Sequence, residues 1–441
     1  MQDTSTLPLP PRSKQLMTEL GERVLIADGA MGTMLQEAAP SLEDFQGLEG
    51  CNEILNVTRP DIIESIHDSY FDTGVDAIET NTFGANWSNL SDYQIDERIE
   101  ELAQAGASIG RASAEKYELN DGRMRWVLGS MGPGTKLPSL GHTTYQHLKD
   151  TFALQAKGLI KGGADAFMIE TSQDLLQTKA AINGCKEAMW QTGTRLPLFV
   201  EVTVETTGTM LMGSEINAAL TALEPLGIDM IGLNCATGPQ EMSEHLRQLS
   251  QYSRIPVMVM PNAGLPVLTA DGARYPLGPE ELATAHEQFV KEFGLSMVGG
   301  CCGTTPAHLS AVVKRLGGGK PAPRSPEPEP GVASLYQHVP LTQDNTYLAI
   351  GERTNANGSK AFREALLEGR IDDCVDIAKK QVRDGAHLLD VCVDYVGRDG
   401  VADIRDIVTR LAQASTLPLV ITPPNPLSSR QEWNSSVVDP W

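Results

Sequence analysis

The chain has 441 residues, 41% of them hydrophobic, with a formal net charge of −22. That length suits two or three domains with sizeable cores. A field of that sign repels phosphate backbones and anionic lipid, which argues against nucleic acid and membrane surfaces as partners.

No stretch approaches the roughly 20 apolar residues needed to span a bilayer. The N-terminus, "MQDTSTLPLPPRSKQ", is polar and lacks a signal core. A cytoplasmic protein is the expectation. The seven cysteines, an odd number scattered along the chain, argue against a disulfide framework.

In chain order, short apolar runs that end in small or polar residues alternate with helical stretches. The strand candidates are "VLIADGA" (24–30), "DAIETNTF" (76–83), "RWVLGSMGP" (125–133) and "AFMIETS" (166–172). They continue with "LPLFVEVTV" (196–204), "DMIGLNC" (229–235), "IPVMVMPN" (255–262) and "LSMVGGCC" (295–302). Between the first two, residues 60–75 place Ile62, Ile63, Ile66 and Tyr70 on one helical face, with Pro60 at the start and Gly74 at the end. Eight such units predict an α/β fold, a (β/α)8 TIM barrel over residues 15–316; a doubly wound open sheet is the competing reading.

Residues 317–345 read as a linker, opening with "GGGKPAPRSPEPEPGV". The βα theme then restarts. "TYLAIGERTN" (346–355), "HLLDVCVD" (387–394) and "LPLVI" (417–421) read as strands. "SKAFREALLEG" (359–369) reads as a helix capped by Ser359 and stopped at Gly369. Three strands cannot close a barrel, so residues 346–421 are expected to form an incomplete second (β/α) barrel. Residues 422–441 show no helical period and form an aberrant tail.

Barrels of this type gather functional groups at the C-terminal ends of their strands. Asp28 ends the first candidate strand, Asn81 and Thr82 the second, Glu170 the fourth, Cys235 the sixth, and Cys301 and Cys302 the eighth. The sixth and eighth strands are one barrel position apart, so these three thiols can converge. Three thiolates suit a borderline-soft ion such as Zn²⁺ with a fourth position open to substrate. A substrate thiol bound there would be ionised at neutral pH.

The competing readings are buried cysteines acting as small hydrophobes, retained for Cys51, Cys185, Cys374 and Cys392, and a cysteine nucleophile, for which no histidine partner is evident. "DGAMGT" (28–33) can offer N–H groups to a carboxylate or be an ordinary βα turn. Glu170 can pair with an ammonium group or form a structural ion pair. His308 fits the helix opened by Thr305 and Pro306. Together these positions suggest an amino acid carrying a thiol.

"ADGAMGTMLQ", "ETNTFGANW", "GLNCATGP" and "GGCCGTTP" resemble the homocysteine-binding barrel of the homocysteine S-methyltransferases. "IGERTNANGSKAFREALLEG" with "GAHLLDVCVD" resembles the start of the pterin-binding barrel found in cobalamin-dependent, methionine-forming members of that family.

The resemblance implies zinc ligation by Cys235, Cys301 and Cys302, with homocysteine held by Asp28, Gly29, Asn81 and Glu170. It implies pterin-site positions at Glu352, Asn355 and Asp390; Cys392 stands where many members have Asn. It further implies methyl transfer to homocysteine from methylcobalamin, free or on a cobalamin-carrying protein, with methyltetrahydrofolate as the methyl source.

Alternatives are a zinc- and homocysteine-binding fragment without turnover, and a stand-alone enzyme using a sulfonium or betaine donor. The family's cobalamin motif, Asp-x-His-x-x-Gly, does not occur in this sequence. The run Ile421 to Pro426 is what Ile-Asp-Ser-Thr-Glu-Pro becomes after loss of one base, so the tail is expected to be out of frame, with the second barrel cut short.

Overall fold

A computed structural model describes residues 4–269, 272–344 and 347–422. The tail on which the frame-shift expectation falls lies, from residue 423 onward, outside the described residues. The chain divides into two compact units. Among the described residues, one comprises residues 4–211 and 224–328; the other comprises residues 212–223 and 329–422.

All eight expected strands are present in the first unit, seven of them shorter than expected and the fourth with the expected bounds, 166–172. They are β1 (Leu25–Ile26), β2 (Ala77–Glu79), β3 (Trp126–Met131), β4 (Ala166–Ser172), β5 (Leu198–Val202), β6 (Met230–Asn234), β7 (Val257–Met260) and β10 (Met297–Val298). Two further strands, β8 (Val267–Thr269) and β9 (Gly272–Arg274), form an antiparallel hairpin after β7 that the sequence did not signal.

The eight-stranded sheet runs β1-β10-β7-β6-β5-β4-β3-β2, with every pairing parallel. Its two ends meet through Asp76. The Asp76 N–H donates to Ile26 O at 2.7 Å, and the Ile26 N–H donates to Asp76 Oδ2 at 3.0 Å. The fold is therefore the TIM barrel, not the open sheet.

The barrel interior holds Leu25, Ala77, Trp126, Leu128, Met168, Phe199, Met230, Met258 and Met297. Unbranched methionines fill such a tapering space readily. The helix Pro11–Glu22 adds Leu16 and Leu20 to the same cluster. Arg12 fastens that helix, reaching Asp165 at 3.1 Å and Glu118 at 3.0 Å.

The expected helix after β1 spans Pro60–Phe71, with Ile63, Ile66 and Tyr70 buried. Pro at the first position has no N–H to leave unsatisfied. Gly74 follows at φ 91°, a left-handed turn that glycine adopts without steric cost.

The stretch expected as a linker is ordered in two places. Arg324 donates to the carbonyls of Ile255 at 2.8 Å and Ser253 at 2.5 Å, within the first unit. In the second unit, β11 (Gly331–Ala333) and β12 (His338–Pro340) pair antiparallel. The helix Ile216–Leu223 groups with this ribbon; Thr221 Oγ1 and His338 Nδ1 are 2.7 Å apart.

The second unit also holds β13 (Ile350–Asn355), β14 (Leu388–Cys392) and β15 (Leu419–Ile421), a three-stranded parallel sheet. Helices Lys360–Leu367, Ile371–Arg383 and Gly400–Ala414 cover it, with Phe362, Leu366, Leu389, Val391, Ile407 and Leu411 in the core. Ser359 caps the first helix, accepting from the Phe362 N–H. Among the described residues, no helix is long and apolar enough to cross a membrane.

Candidate metal centre and substrate pocket

Cys235 follows β6, and Cys301 and Cys302 follow β10; β7 lies between these strands in the sheet. The loop after β7 stitches the cysteines together. The Cys301 N–H donates to Pro261 O at 2.8 Å, and the Ala263 N–H donates to Cys302 O at 2.9 Å. The Cys235 N–H donates to Met260 O at 3.3 Å. Cys235 (φ 59°) and Ala236 (φ 54°) both take the left-handed backbone region, at a cost of roughly 1–3 kcal/mol each. That turn aims the Cys235 side chain back toward the β10 loop.

The three sulfurs lie within 4.8 Å of one another, the one such group of potential metal ligands among the described residues. Cys235 Sγ and Cys302 Sγ are 3.9 Å apart. Tetrahedral zinc with Zn–S bonds of about 2.3 Å separates two sulfurs by about 3.8 Å, so the trio needs little rearrangement to take the ion.

The trio shares protons in a way that also suits a cation. Hydrogen bonds from Cys235 and Cys301 push the Cys302 thiol down to about 3. Cys301 is raised well above the usual thiol range by donating to Cys235 and Cys302 and by burial. At Cys235 the hydrogen bond from Cys301 favours the thiolate, but donation to Cys302, burial and the Cys302 charge outweigh it and raise the group to about 12. One thiolate thus stands among two thiols, a cluster that a divalent ion completes by displacing protons. The other four cysteines are buried.

Beside the sulfurs lie acidic groups whose positions follow from strand alternation. Glu79 repeats the inward face of Ala77 on β2, Glu170 that of Met168 on β4, and Glu201 that of Phe199 on β5. Glu170 accepts from Ser130 Oγ at 2.5 Å and from Asn234 Nδ2 at 3.2 Å. Burial raises it to about 7, with the Cys302 charge adding to the rise and these hydrogen bonds opposing it. Asp28 accepts from the Glu79 N–H at 3.0 Å; burial, then the charge of Glu170, raises it well above the carboxylate range. Glu201 is fully buried, neither oxygen has a partner among the described residues, and burial raises it likewise.

Gly29 stands where a side chain has no room: a Cβ there would lie 2.5 Å from Thr304 Oγ1. Thr304 in turn accepts from the Ala30 N–H at 3.2 Å and donates to Cys301 O at 2.7 Å, tying the first turn to the cysteine loop. Asn81 directs its amide protons to Asn52 O and Asn56 Oδ1, both at 2.9 Å. It braces the loop after β1 against the end of β2. His308 lies in the helix Pro306–Leu316, at the third position after the Thr305 cap.

The pterin-type positions lie in the second unit. Asn355 Nδ2 donates to Asp390 Oδ2 at 2.8 Å across the β13–β14 pair. Thr422 Oγ1 donates to Asp390 Oδ1 at 3.2 Å. Glu352 is exposed on β13 and is not part of that pair. Cys392 is buried, with Asn357 Nδ2 at 3.7 Å from its sulfur.

Sequence reasoning missed Asn234, Thr304 and Tyr275, the last packed against Gly303 beside Cys302. Asn234 alone carried a usable signal, as the polar residue directly before a strand-end cysteine.

A homocysteine S-methyltransferase family model matches residues 25–316, about two-thirds of the chain. The chain belongs to the homocysteine S-methyltransferase family. A pterin-binding enzyme model matches residues 351–421.

Among relatives of this chain, methionine synthase of Mycobacterium tuberculosis is 61% identical over 406 residues. Methionine synthase of Mycobacterium leprae is 60% identical over 412 residues. Each alignment covers 92% of this chain but 34% of the relative, so the chain spans about a third of their length. The metallated form of the homocysteine methyltransferase MmuM from Escherichia coli superposes with a TM-score of 0.56 at 20% identity, covering 69% of this chain and 99% of that one. At that identity the likeness speaks for the fold alone.

Proposed function

We propose that this chain binds zinc through Cys235, Cys301 and Cys302 and methylates the thiol of homocysteine, giving methionine. The observation that carries the reading is the convergence of three sulfurs from two strand ends to within 4.8 Å, beside buried carboxyls. The methionine synthase relatives support the choice of product.

A zinc ion at the trio supplies the Lewis acidity that keeps a substrate thiol ionised at neutral pH. The chain's own residues do the rest. Glu170 and Asp28 receive the substrate ammonium, which offsets the burial that otherwise keeps them protonated. Asn234 and Ser130 hold Glu170 in one orientation. The turn at Gly29 lets the substrate approach the backbone, and the helix Met31–Ala38 that follows favours a carboxylate at its N-terminus. Asn81 enters by fixing the loop beside that turn.

The sulfur attacks the methyl carbon in line, the S–C bond forms, and the donor leaves with the bonding electron pair. The donor in this reading is methylcobalamin, free or on a carrier protein, with methyltetrahydrofolate as its source. Exposed apolar side chains on the loops after β2, β3, β5 and β7 (Phe83, Leu140, Leu211 and Leu265) suit docking of a bulky donor over this face. Glu352, Asn355 and Asp390 belong to the pterin side of the proposal, and the Asn355–Asp390 hydrogen bond supports pairing two of them. The unit over 346–421 is proposed as a fragment of that pterin barrel, and residues 317–345 as its connection.

The test is zinc content and methionine formation. Wild type is expected to hold one zinc and to form methionine from homocysteine with added methylcobalamin, but none from methyltetrahydrofolate alone. Cys301→Ala is expected to lose the metal. Unchanged zinc in that variant would sink the proposed centre. Zinc and homocysteine binding without methionine would leave a binding module in place of a methyltransferase.

A further inference from the structure

Thr171 is the one β-branched residue at positive φ among the described residues, at 56°, and it lies inside β4. A branched side chain is crowded in that left-handed region, so the surroundings must hold the residue there. The pairing of β4 with β5 shows where the conformation is used. Ile169 pairs with Val200 and Ser172 with Val202, so two residues, Glu170 and Thr171, stand against the single Glu201. Such a bulge re-aims the side chains at the break. It sets Thr171 apart, since every other residue of β4 is buried and Thr171 is not. The ladder resumes at once, with the Thr203 N–H donating to Ser172 O at 2.9 Å.

Asn234, at the end of β6, grips Thr171 twice. Its Oδ1 accepts from the Thr171 N–H at 2.8 Å, and its Nδ2 donates to Thr171 Oγ1 at 3.0 Å. An amide nitrogen carries two protons. With one spent on Thr171, the other is directed to Glu170 Oε2 at 3.2 Å. Ser130 Oγ donates to the other carboxyl oxygen. The backbone of Asn234 is held as well, because Thr203 Oγ1 donates to Asn234 O at 3.1 Å. Glu170 is thus fixed through a chain of contacts that leaves β4 at Thr171 and returns to it through β6.

We propose that Thr171 is a positioning residue: its hydroxyl locks the Asn234 amide, so that the second amide proton holds the Glu170 carboxyl in place for the substrate ammonium. The inference rests on the reading of Glu170 as the ammonium partner. The bulge alone does not call for threonine, since glycine takes φ 56° without strain. What threonine adds is the hydroxyl that fixes the amide.

The experiment uses the full chain in zinc-containing buffer and two ligands, homocysteine and γ-mercaptobutyrate, which is homocysteine without its amino group. Isothermal titration measures both, with thermal unfolding alongside. Thr171→Val keeps the branched shape and removes the hydroxyl. It is expected to bind homocysteine about fivefold more weakly, the scale of one hydrogen bond, and γ-mercaptobutyrate as wild type does. Thr171→Ser restores the hydroxyl and is expected to recover wild-type affinity. Thr171→Gly, relieved of the strain, is expected to unfold at a higher temperature than Thr171→Val while sharing its weaker homocysteine binding. A merely structural role would move stability and affinity together. Wild-type homocysteine affinity in Thr171→Val, or an equal loss for both ligands, overturns the role of Thr171 when Glu170→Gln itself binds homocysteine more weakly than wild type. Undiminished homocysteine affinity in Glu170→Gln overturns instead the reading of Glu170 on which the role rests.

Discussion

Asn234 donates from its side-chain amide to Glu170 Oε2 at 3.2 Å, and the same nitrogen lies 4.0 Å from Cys301 Sγ. Its Oδ1 accepts from the Thr171 N–H at 2.8 Å, so the amide cannot turn over without breaking a bond. One side chain therefore couples the carboxyl proposed for the substrate ammonium to the sulfur proposed for the metal. Asn234→Ala is expected to weaken homocysteine binding about tenfold, the scale of one lost hydrogen bond to a charged group. Zinc content should stay near wild type. Asn234→Asp sets a second carboxyl beside Glu170 and is expected to bind homocysteine more weakly than wild type at pH 7. Isothermal titration of zinc-loaded variants measures both; unaltered affinity in Asn234→Ala would remove the coupling.

Glu201 offers a stability prediction with a definite sign. Its carboxyl is buried without a partner among the described residues, and burial holds it protonated well above the usual range. The folded protein then keeps a proton that the unfolded chain releases, so stability falls as pH rises above the unfolded carboxylate value of about 4.3. Glu201→Gln removes that dependence. The variant is expected to be more stable than wild type at pH 8 and close to it at pH 4.5, by denaturant titration. A variant less stable than wild type at pH 8 would mean that the carboxylate has a stabilising partner when ionised.

His67 and His286 act with the opposite sign. Burial lowers each to about 4. Neither ring nitrogen of His67 has a partner among the described residues, while His286 Nε2 lies 2.8 Å from Gly299 O. Below the unfolded histidine value of about 6.5 the unfolded chain takes up protons that the folded chain refuses. Stability is therefore lost as pH falls from about 6.5 toward 4, by up to roughly 3 kcal/mol per histidine. His67→Leu is expected to remove from the slope of unfolding free energy in that window the contribution of one proton. An unchanged slope would show that His67 is protonated in the folded state.

The barrel was legible because each strand is an apolar run closed by small or polar residues, and eight such runs leave few topologies. Strand lengths were less so. β1 and β10 each pair over two residues, although backbone bonds between the segments go on through Ala27 N–H to Val298 O at 2.8 Å and Gly300 N–H to Asp28 O at 2.9 Å. The β8–β9 hairpin and the β11–β12 ribbon escaped notice because strands of three residues, one of them ending in Pro340, carry no periodicity. The cysteine trio was legible from its strand-end positions. Asn234, Thr304 and Tyr275 were not, since each acts through a neighbour distant in sequence. Asn81 sat at an expected strand end, but its amide turns toward Asn52 and Asn56, a direction that depends on a loop conformation.

Gly29 provides a last test of how the first turn and the cysteine loop are joined. A Cβ at this position would lie 2.5 Å from Thr304 Oγ1 and 3.0 Å from Tyr70 OH. Thr304 is buried and bonded to both Ala30 N and Cys301 O, so it cannot simply rotate away. Gly29→Ala is expected to lower stability by about 1–3 kcal/mol, the usual cost of forcing extra volume into a packed site. Because Thr304 holds the Cys301 carbonyl, the same change should also weaken zinc retention. Thr304→Val separates the two effects: it removes the hydroxyl's hydrogen bonds while nearly conserving volume. If the hydroxyl holds the cysteine loop in place, Thr304→Val loses zinc affinity as Gly29→Ala does, without the clash. If zinc affinity falls in Gly29→Ala alone, the glycine matters through the path of its own turn, and the tie through Thr304 is not what positions the metal ligands.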